Sequence, residues 1–262
     1  MGTRFSPVGH TVDPEITRWI DALSSGDAEA AGSHCSADCR LAFPRRGVIE
    51  TAPRLKGVGA AGLAAIERDG GLPQQPRRLV VAVHAGDVWL LEGVVLGDTE
   101  CSFAASVTTA DGVVSRHLEF RADSRIGPPG PEPERSDHDA AVALERYFAH
   151  LDSGAFEDAA ACFALEVLYS HPPYKHTGIS DPGRLDIVGR DALLATFRRR
   201  GRQPFGHRLI SFGQVGRHAM LEGLVEGIPG GGSGSFVSCL SLDARGLIAR
   251  YVSFYCEPAF AS

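Results

Sequence analysis

The chain has 262 residues, of which 44% are hydrophobic and 22% are charged, and its formal net charge is -6. This length suits two ordinary domains that each bury a core, and the acidic balance argues against a nucleic acid as the main partner. Because no apolar run approaches the roughly 18 residues of a membrane span and no signal-peptide core opens the chain, we expect a cytoplasmic protein with no membrane partner.

A helix is predicted near the start, where Asp13 suits the N-cap and Pro14 the first helical position. Apolar residues then recur at helical spacing until the segment 24–27 ends the helix. The second half repeats both the stripe and the stop. The two stripes are Ile16, Trp19, Ile20 and Leu23, and Leu144, Tyr147, Phe148 and Leu151.

Further matches in the same order indicate an internal repeat. The matched pairs include Pro44 and Pro172, Gly59 and Gly189, Glu92 and Glu222, Phe103 and Phe236, and Arg116 and Arg250. We therefore predict two homologous domains, 1–124 and 137–262. The segment between them, 125–136, is rich in proline and glycine and is predicted to be a fairly stiff linker.

Each domain is predicted to continue from helices into strands, because β-branched and aromatic runs alternate with turn signals such as Asp111-Gly112. The predicted strands are 78–83, 88–95, 100–108 and 113–120 in the first domain, and 207–212, 218–226, 235–242 and 247–255 in the second. Helices followed by an antiparallel meander make an α+β unit. The predicted fold is thus two tandem α+β domains.

Reactive side chains gather in one part of the second domain, 168–191. The residues there or nearby that lack counterparts in the first domain are His171, Tyr174, His176, Asp186, Arg190, Asp191 and His207. Features present in both repeats most economically serve the fold, whereas features of one repeat are available for function. We therefore predict an active second domain and a degenerate first domain.

Several motifs resemble the nuclear transport factor 2-like superfamily, which includes ketosteroid isomerases and SnoaL-type polyketide cyclases. In the second domain these motifs are 146–154, Ala161-Cys162-Phe163, His171-Pro172, 188–193 and 246–251. The resemblance implies that each domain is a cone-shaped α+β barrel, a curved antiparallel sheet wrapped around helices with a deep apolar pocket. Family members commonly dimerise through the sheet, so it also implies an intramolecular pseudo-dimer and leaves room for a further homodimer.

The resemblance also implies roles for single residues. Tyr147 stands where ketosteroid isomerases place a tyrosine that donates a hydrogen bond to the substrate oxygen. His171 stands before Pro172, where those enzymes place their proton-shuttling aspartate. Ser238 aligns near their second oxyanion donor. The late acid of SnoaL-type cyclases is missing from the last strand, which carries Tyr251 and Tyr255 instead.

His171 is therefore the candidate base and Tyr147 the candidate oxyanion donor, since an imidazole with a pKa of about 6.5 exchanges protons near neutrality. A hydrogen-bonded histidine at a strand end and a plain core aromatic are the alternatives for these two residues. The candidate substrate-binding residues are Tyr174, His176, Arg184, Asp186, Arg190, His207, Ser238, Tyr251 and Tyr255.

The function expected from these residues is a cofactor-independent acid-base isomerase or cyclase that acts on a small, mostly apolar, carbonyl-containing metabolite. Two alternatives stay open. One is a non-catalytic module for small-molecule binding or assembly. The other is an epoxide-opening enzyme that uses Asp181, Arg184 and Asp186.

No metal site and no cofactor are expected, because the second-domain candidate ligands follow no known pattern and the first-domain set has no convincing fourth ligand nearby. These ligands are His171, His176 and His207 with Asp181 or Asp186 in the second domain, and His34, Cys35 and Cys39 in the first. The run Arg198-Arg199-Arg200 is interpreted as a solvated helix end, where cations suit the helix dipole.

Overall fold

The computed structural model describes residues 8–9, 11–44, 54–70, 75–97, 101–129, 138–173, 184–230, 232–256 and 259–260. Three candidate residues, Tyr174, His176 and Asp181, lie outside this part of the chain. The chain divides into two compact units. The first unit holds 1–123, 127–132 and 260–262, and the second holds 124–126 and 133–259.

The described part of the first unit contains three helices and a seven-stranded sheet. The helices are α1 (Pro14–Ser25), α2 (Ala28–Gly32) and α3 (Gly59–Arg68). The strands are β1 (Val8–Gly9), β2 (Cys35–Phe43), β3 (Leu55–Val58), β4 (Arg77–Ala85), β5 (Val88–Val95), β6 (Cys101–Ala110) and β7 (Val113–Ala122). Their order in the sheet is β1-β4-β5-β6-β7-β2-β3.

The second unit repeats this plan with three helices and six strands among its described residues. The helices are α4 (Ala140–Ser153), α5 (Phe156–Ala161) and α6 (Arg190–Arg200). The strands are β8 (Phe163–His171), β9 (Leu185–Val188), β10 (Gly206–Val215), β11 (His218–Ile228), β12 (Gly232–Leu242) and β13 (Ile248–Cys256). Their order is β10-β11-β12-β13-β8-β9.

The predicted fold class, two tandem α+β units, is confirmed, and the predicted strands correspond to β4–β7 and β10–β13. In both units, however, the extended segment after the second helix joins the sheet beside the last strand and parallel to it. The sheets are therefore mixed rather than antiparallel throughout. Parallel partners that are distant in sequence share no hairpin turn, so this pairing leaves no local signal.

The helix boundaries follow the local chemistry that predicted them. The Asp13 side chain accepts a hydrogen bond from the Glu15 backbone N–H at 2.7 Å, and α1 ends at Gly26 with a φ of 70°. A left-handed conformation of this kind favours glycine. The apolar stripes of α1 and α4 are buried, so each of these helices packs its stripe into the core of its own unit. Among the described residues, no helix is both long and apolar enough to span a membrane.

Gly223 has a packing role in the second sheet. It lies opposite a β-bulge between Leu209 and Ser211, and a Cβ placed on it would come within 2.5 Å of the Phe236 ring and 2.7 Å of the Arg208 carbonyl. Only glycine leaves room for this close approach. Its absent side chain therefore allows the Phe236 ring to pack against the β11 backbone.

Candidate active site

A cavity with an empty volume of about 690 Å³, including its open mouth, lies in the second unit. Its walls come from α4, the end of α6, and strands β8, β10, β11, β12 and β13. Most of the lining surface is aromatic or aliphatic, and polar side-chain atoms are set into it, as is typical of small-molecule sites. The polar members are Tyr147, Tyr169, His171, Arg200, His207, Tyr251, Ser253 and Tyr255.

His171 ends strand β8 and contributes its partly buried imidazole to the cavity. Its Nδ1 lies 2.6 Å from the carbonyl oxygen of Pro172, which can only accept, so the ring proton sits on Nδ1. Burial is the main cause that lowers the pKa of His171 to about 3, with the hydrogen bond to Pro172 acting in the opposite direction and Arg200 and His207 adding smaller decreases. The expectation of an ordinary pKa was wrong because the ring lies in an apolar wall.

Tyr147 lies inside an aromatic cluster at the base of the cavity. Its side chain is buried, and its hydroxyl lies 3.5 Å from that of Tyr169. The rings of Tyr169 and Tyr251 stack with centroids 5.4 Å apart, and the Tyr251 hydroxyl is 3.0 Å from the Ser238 Oγ. Tyr147 is thus both a core aromatic and a cavity-lining phenol.

His207 near the start of β10 lines the same cavity and is held by Asp152 at the end of α4. Its Nδ1 is 2.8 Å from Asp152 Oδ1, and its backbone N–H donates to Oδ2 at 3.2 Å. The ring stacks on Phe148 with centroids 4.7 Å apart. The sequence predicted His207 at the site but gave no role there to Asp152.

Arg200 departs from the interpretation of the arginine run as a solvated helix end. Arg198 and Arg199 are exposed, whereas Arg200 is buried and lines the cavity. Leu193, Phe197 and Arg200 share the buried face of α6 because they recur at helical spacing. This spacing was the signal that could have identified Arg200.

Arg184 and Asp186 do not belong to the cavity lining. Asp186 is opposite Ser170 in the β8–β9 ladder. Because successive strand residues face opposite sides of a sheet, Ser170 points away from the side that carries Tyr169 and His171. Arg184 donates a 2.6 Å hydrogen bond to the same Ser170 Oγ.

On that opposite side, Asp186 ties the linker segment to the sheet. It accepts hydrogen bonds from the Ser124 Oγ at 3.1 Å and from the Arg125 backbone N–H at 2.9 Å. These contacts explain why 124–126 belongs to the second unit. They also give Arg184 and Asp186 a structural role, so epoxide opening by these residues has no geometric support.

Ser238 and Arg190 also lie outside the lining. Ser238 is fully buried behind Tyr251 and donates to the Ser253 Oγ at 3.1 Å, so it positions two lining side chains. Arg190 begins α6. The structure therefore gathers His171, Tyr147, His207, Tyr251 and Tyr255 at one cavity, and it places Arg184, Asp186, Arg190 and Ser238 elsewhere.

The corresponding positions of the first unit hold a packed polar network. In the repeat, Trp19, Phe43, Arg77, His117 and Glu119 stand where the second unit has Tyr147, His171, His207, Tyr251 and Ser253. Trp19 Nε1 donates to His117 Nδ1 at 3.1 Å. Glu119 accepts from Arg77 Nε at 3.2 Å and from Arg121 Nε at 2.9 Å. Trp19, His117 and Glu119 are fully buried, and His117 contacts both of the others.

The described residues contain no group of three or more His, Cys, Asp and Glu side chains that could hold a metal ion. His176 and Asp181, two of the ligands considered from the sequence, lie outside the described residues. Asp186 faces away from the cavity that contains His171 and His207, so these three residues do not converge.

No protein-family model and no curated protein matches the chain. Among solved structures it is similar to an NTF-2-like protein of unknown function from Burkholderia xenovorans, with 17% identity, a TM-score of 0.37, and coverage of 47% of this chain and 87% of that one. It is also similar to a hypothetical protein of ketosteroid isomerase-like fold from Catenulispora acidiphila, solved with trimethylamine. There the identity is 15%, the TM-score 0.36, and the coverage 44% and 89%.

A third similar structure is a protein of unknown function with a cystatin-like fold from Methylobium petroleophilum. Its identity is 17%, its TM-score 0.37, and its coverage 47% of this chain and 79% of that one. Each of these matches spans less than half of the chain. Likenesses this weak assign no activity, which has to be argued from the cavity itself.

Proposed function

We propose that the second unit is a cofactor-independent acid-base catalyst, an isomerase or cyclase, for a small and mostly apolar carbonyl compound. The observation that carries this proposal is one aromatic cavity that contains two imidazoles, several phenols and a guanidinium. The apolar wall suits a hydrocarbon skeleton, and the polar groups suit a carbonyl oxygen and a mobile proton.

His171 is the proposed base. With its proton held on Nδ1 by the Pro172 carbonyl, Nε2 carries the lone pair that can accept a proton from the carbon next to the carbonyl. A pKa of about 3 keeps the ring in this neutral form at pH 7, although it also makes the imidazole a weak base. Proton abstraction therefore depends on strong stabilisation of the enolate that forms.

Tyr147 is the proposed donor to that enolate. Its hydroxyl lies 3.5 Å from that of Tyr169, so both phenols are positioned near one point of the cavity. Arg200 adds a positive charge to the same lining. Fixed donors and charge in an apolar site stabilise a developing oxyanion more strongly than water does, because they need no reorganisation.

A non-catalytic binding module is the second candidate. The specific observation in its favour is the low pKa of His171. A weakly basic imidazole can accept a hydrogen bond from a ligand hydroxyl without ever taking up a proton. Turnover separates the two candidates, because a binding module retains its ligand chemically unaltered.

The test is an incubation of a small-molecule extract with the wild type and with a folded His171→Ala variant, followed by untargeted mass spectrometry. Loss of a positioned base lowers turnover about 100-fold or more. We expect the wild type to convert one metabolite into a product of unchanged mass. His171→Gln, which keeps most of the side-chain volume, guards against a packing artefact. Full activity in both variants would remove His171 from the mechanism.

A further inference from the structure

The contact between Asp152 and His207 contains two bonds of different kinds. One carboxylate oxygen accepts the backbone N–H of His207 at 3.2 Å, and this bond ties the start of β10 to the end of α4. The other oxygen lies 2.8 Å from the imidazole Nδ1. His207 lines the cavity, whereas Asp152 stands behind it.

The first unit retains only the first of these bonds. Ser24 occupies the position of Asp152 and Arg77 that of His207, and the Arg77 backbone N–H donates to the Ser24 Oγ at 3.2 Å. A hydroxyl is therefore sufficient to connect the helix end to the strand. At these two repeat positions, the second unit has a carboxylate bonded to an imidazole, and the first unit has a serine and an arginine instead.

The second bond fixes how His207 presents its ring. Because a carboxylate accepts, Nδ1 carries the proton and Nε2 is the atom left for a ligand. Across the described residues, the contacts of His207 include no hydrogen-bond partner for Nε2. Phe148 stacks on the ring, and the Phe236 ring meets it edge-on at 5.8 Å between centroids. The imidazole is thus held in orientation and position.

We propose that Asp152 and His207 form a second proton-transfer pair, in which His207 is a catalytic residue and Asp152 its positioning residue. This inference rests on the proposed function and extends it. His171 Nε2 takes a proton from the carbon next to the carbonyl, and the C–H electron pair moves onto the carbonyl oxygen as an enolate. Water gives a proton to His207 Nε2, where Asp152 balances the charge, and His207 passes this proton to a second position of the substrate. The hydroxide left from that water then removes the proton from His171, which restores both histidines.

The substrate class follows from this arrangement. Two proton-transfer groups suit a reaction in which a proton leaves one atom and a different atom gains one, as in a double-bond shift or an aldol-type ring closure. Both reactions leave the mass of the compound unchanged. A single-site exchange of a proton would require only one of the two histidines.

The test uses 2-bromoacetophenone, a small aromatic carbonyl probe, with the full-length protein. An unprotonated Nε2 displaces bromide and forms an N–C bond, and peptide mapping by mass spectrometry identifies the alkylated histidine. We expect labelling at His207. Asp152→Ser keeps the backbone bond that Ser24 makes in the first unit but removes the carboxylate, and it should slow this labelling about tenfold or more.

Two further variants separate positioning from folding. Asp152→Asn can still accept from Nδ1 without the negative charge, so it should recover part of the labelling rate and change its pH profile. Asp158→Asn alters an exposed acid of the neighbouring helix α5 and should label at the wild-type rate. Far-ultraviolet circular dichroism checks that each variant is folded.

The possible outcomes distinguish a failure of the Asp152–His207 pair from a failure of the proposed function. Equal labelling of His207 in the wild type and Asp152→Ser overturns the positioning role. Labelling of His171 alone overturns the pair but leaves the proposed function standing. If neither histidine reacts, the cavity does not admit a carbonyl compound, and the proposed function fails together with the pair.

Discussion

His171 owes its protonation state to neighbours from distant parts of the chain. Its ring lies in an apolar wall, while Arg200 ends α6 and His207 lies near the start of β10. Burial, with smaller contributions from these two neighbours, lowers its pKa to about 3. The consequence is that the His171 imidazole stays neutral throughout the physiological pH range.

This low pKa makes the stability of the second unit depend on pH. The unfolded chain protonates His171 below about pH 6.5, whereas the folded chain does so only near pH 3. Unfolding therefore takes up a proton between these values, and the free energy of unfolding falls as the pH is lowered through that window. His171→Gln should reduce this fall, as measured by urea unfolding at pH 7 and pH 5.

The chain provides a selective probe for that experiment. All five tyrosines lie in the second half of the sequence, so near-ultraviolet circular dichroism of tyrosine reports the second unit. His84→Gln, which removes an exposed imidazole of the first unit, is the matched control. An identical pH dependence in the wild type and His171→Gln would contradict the assigned environment of His171.

Part of the site could be predicted from single residues and part could not. His171 and His207 were predicted because neither has a matching counterpart in the first repeat, and Tyr147 because its position resembles that of the tyrosine donor in ketosteroid isomerases. Asp152 also differs, since the first repeat has Ser24 there, but its partner is distant in sequence and was not visible. Arg200 was missed because its two exposed neighbours favoured the interpretation of a solvated run.

At the scale of elements, strands β4–β7 and β10–β13 were predictable because each pairs with its sequence neighbour through a short turn. The position of β8 in the sheet was not predictable, because β8 pairs in parallel with β13, which lies at the other end of the unit in sequence. That pairing matters for the site, because it brings Tyr169 beside Tyr251.

The strands of the first unit contain a buried ion cluster, defined here as Arg77, Glu119 and Arg121. Burial by itself raises the pKa of Glu119, but the two guanidiniums hold it well below its usual range. Glu119→Gln would leave two largely buried cations without their counter-charge. We expect this change to lower the free energy of unfolding of the first unit by about 3–5 kcal/mol.

Tryptophan fluorescence during urea unfolding measures this effect selectively, because both tryptophans, Trp19 and Trp89, lie in the first unit. Glu67→Gln removes an exposed acid from α3 and is the control. If both variants unfold at the same urea concentration as the wild type, the ion cluster contributes nothing to the stability of the first unit.

At the scale of the whole molecule, one framework is used twice with different interiors. Gly93 and Gly223 each let a phenylalanine ring lie close to the strand backbone, Phe103 in the first unit and Phe236 in the second. Both sheets therefore share this packing feature. The interiors diverge, since the first packs Trp19 and Glu119 where the second has cavity-lining residues. The pseudo-dimer suggested by the sequence stays a prediction.

The most direct measurement is the extract incubation repeated in deuterium oxide, with the wild type and the His171→Ala variant compared by mass spectrometry. Proton transfer to carbon predicts a wild-type product, isomeric with its substrate, that carries carbon-bound deuterium from the solvent. The variant should yield none. If both proteins retain the same compound unlabelled and unaltered, the cavity is a binding site, and the catalytic account is contradicted.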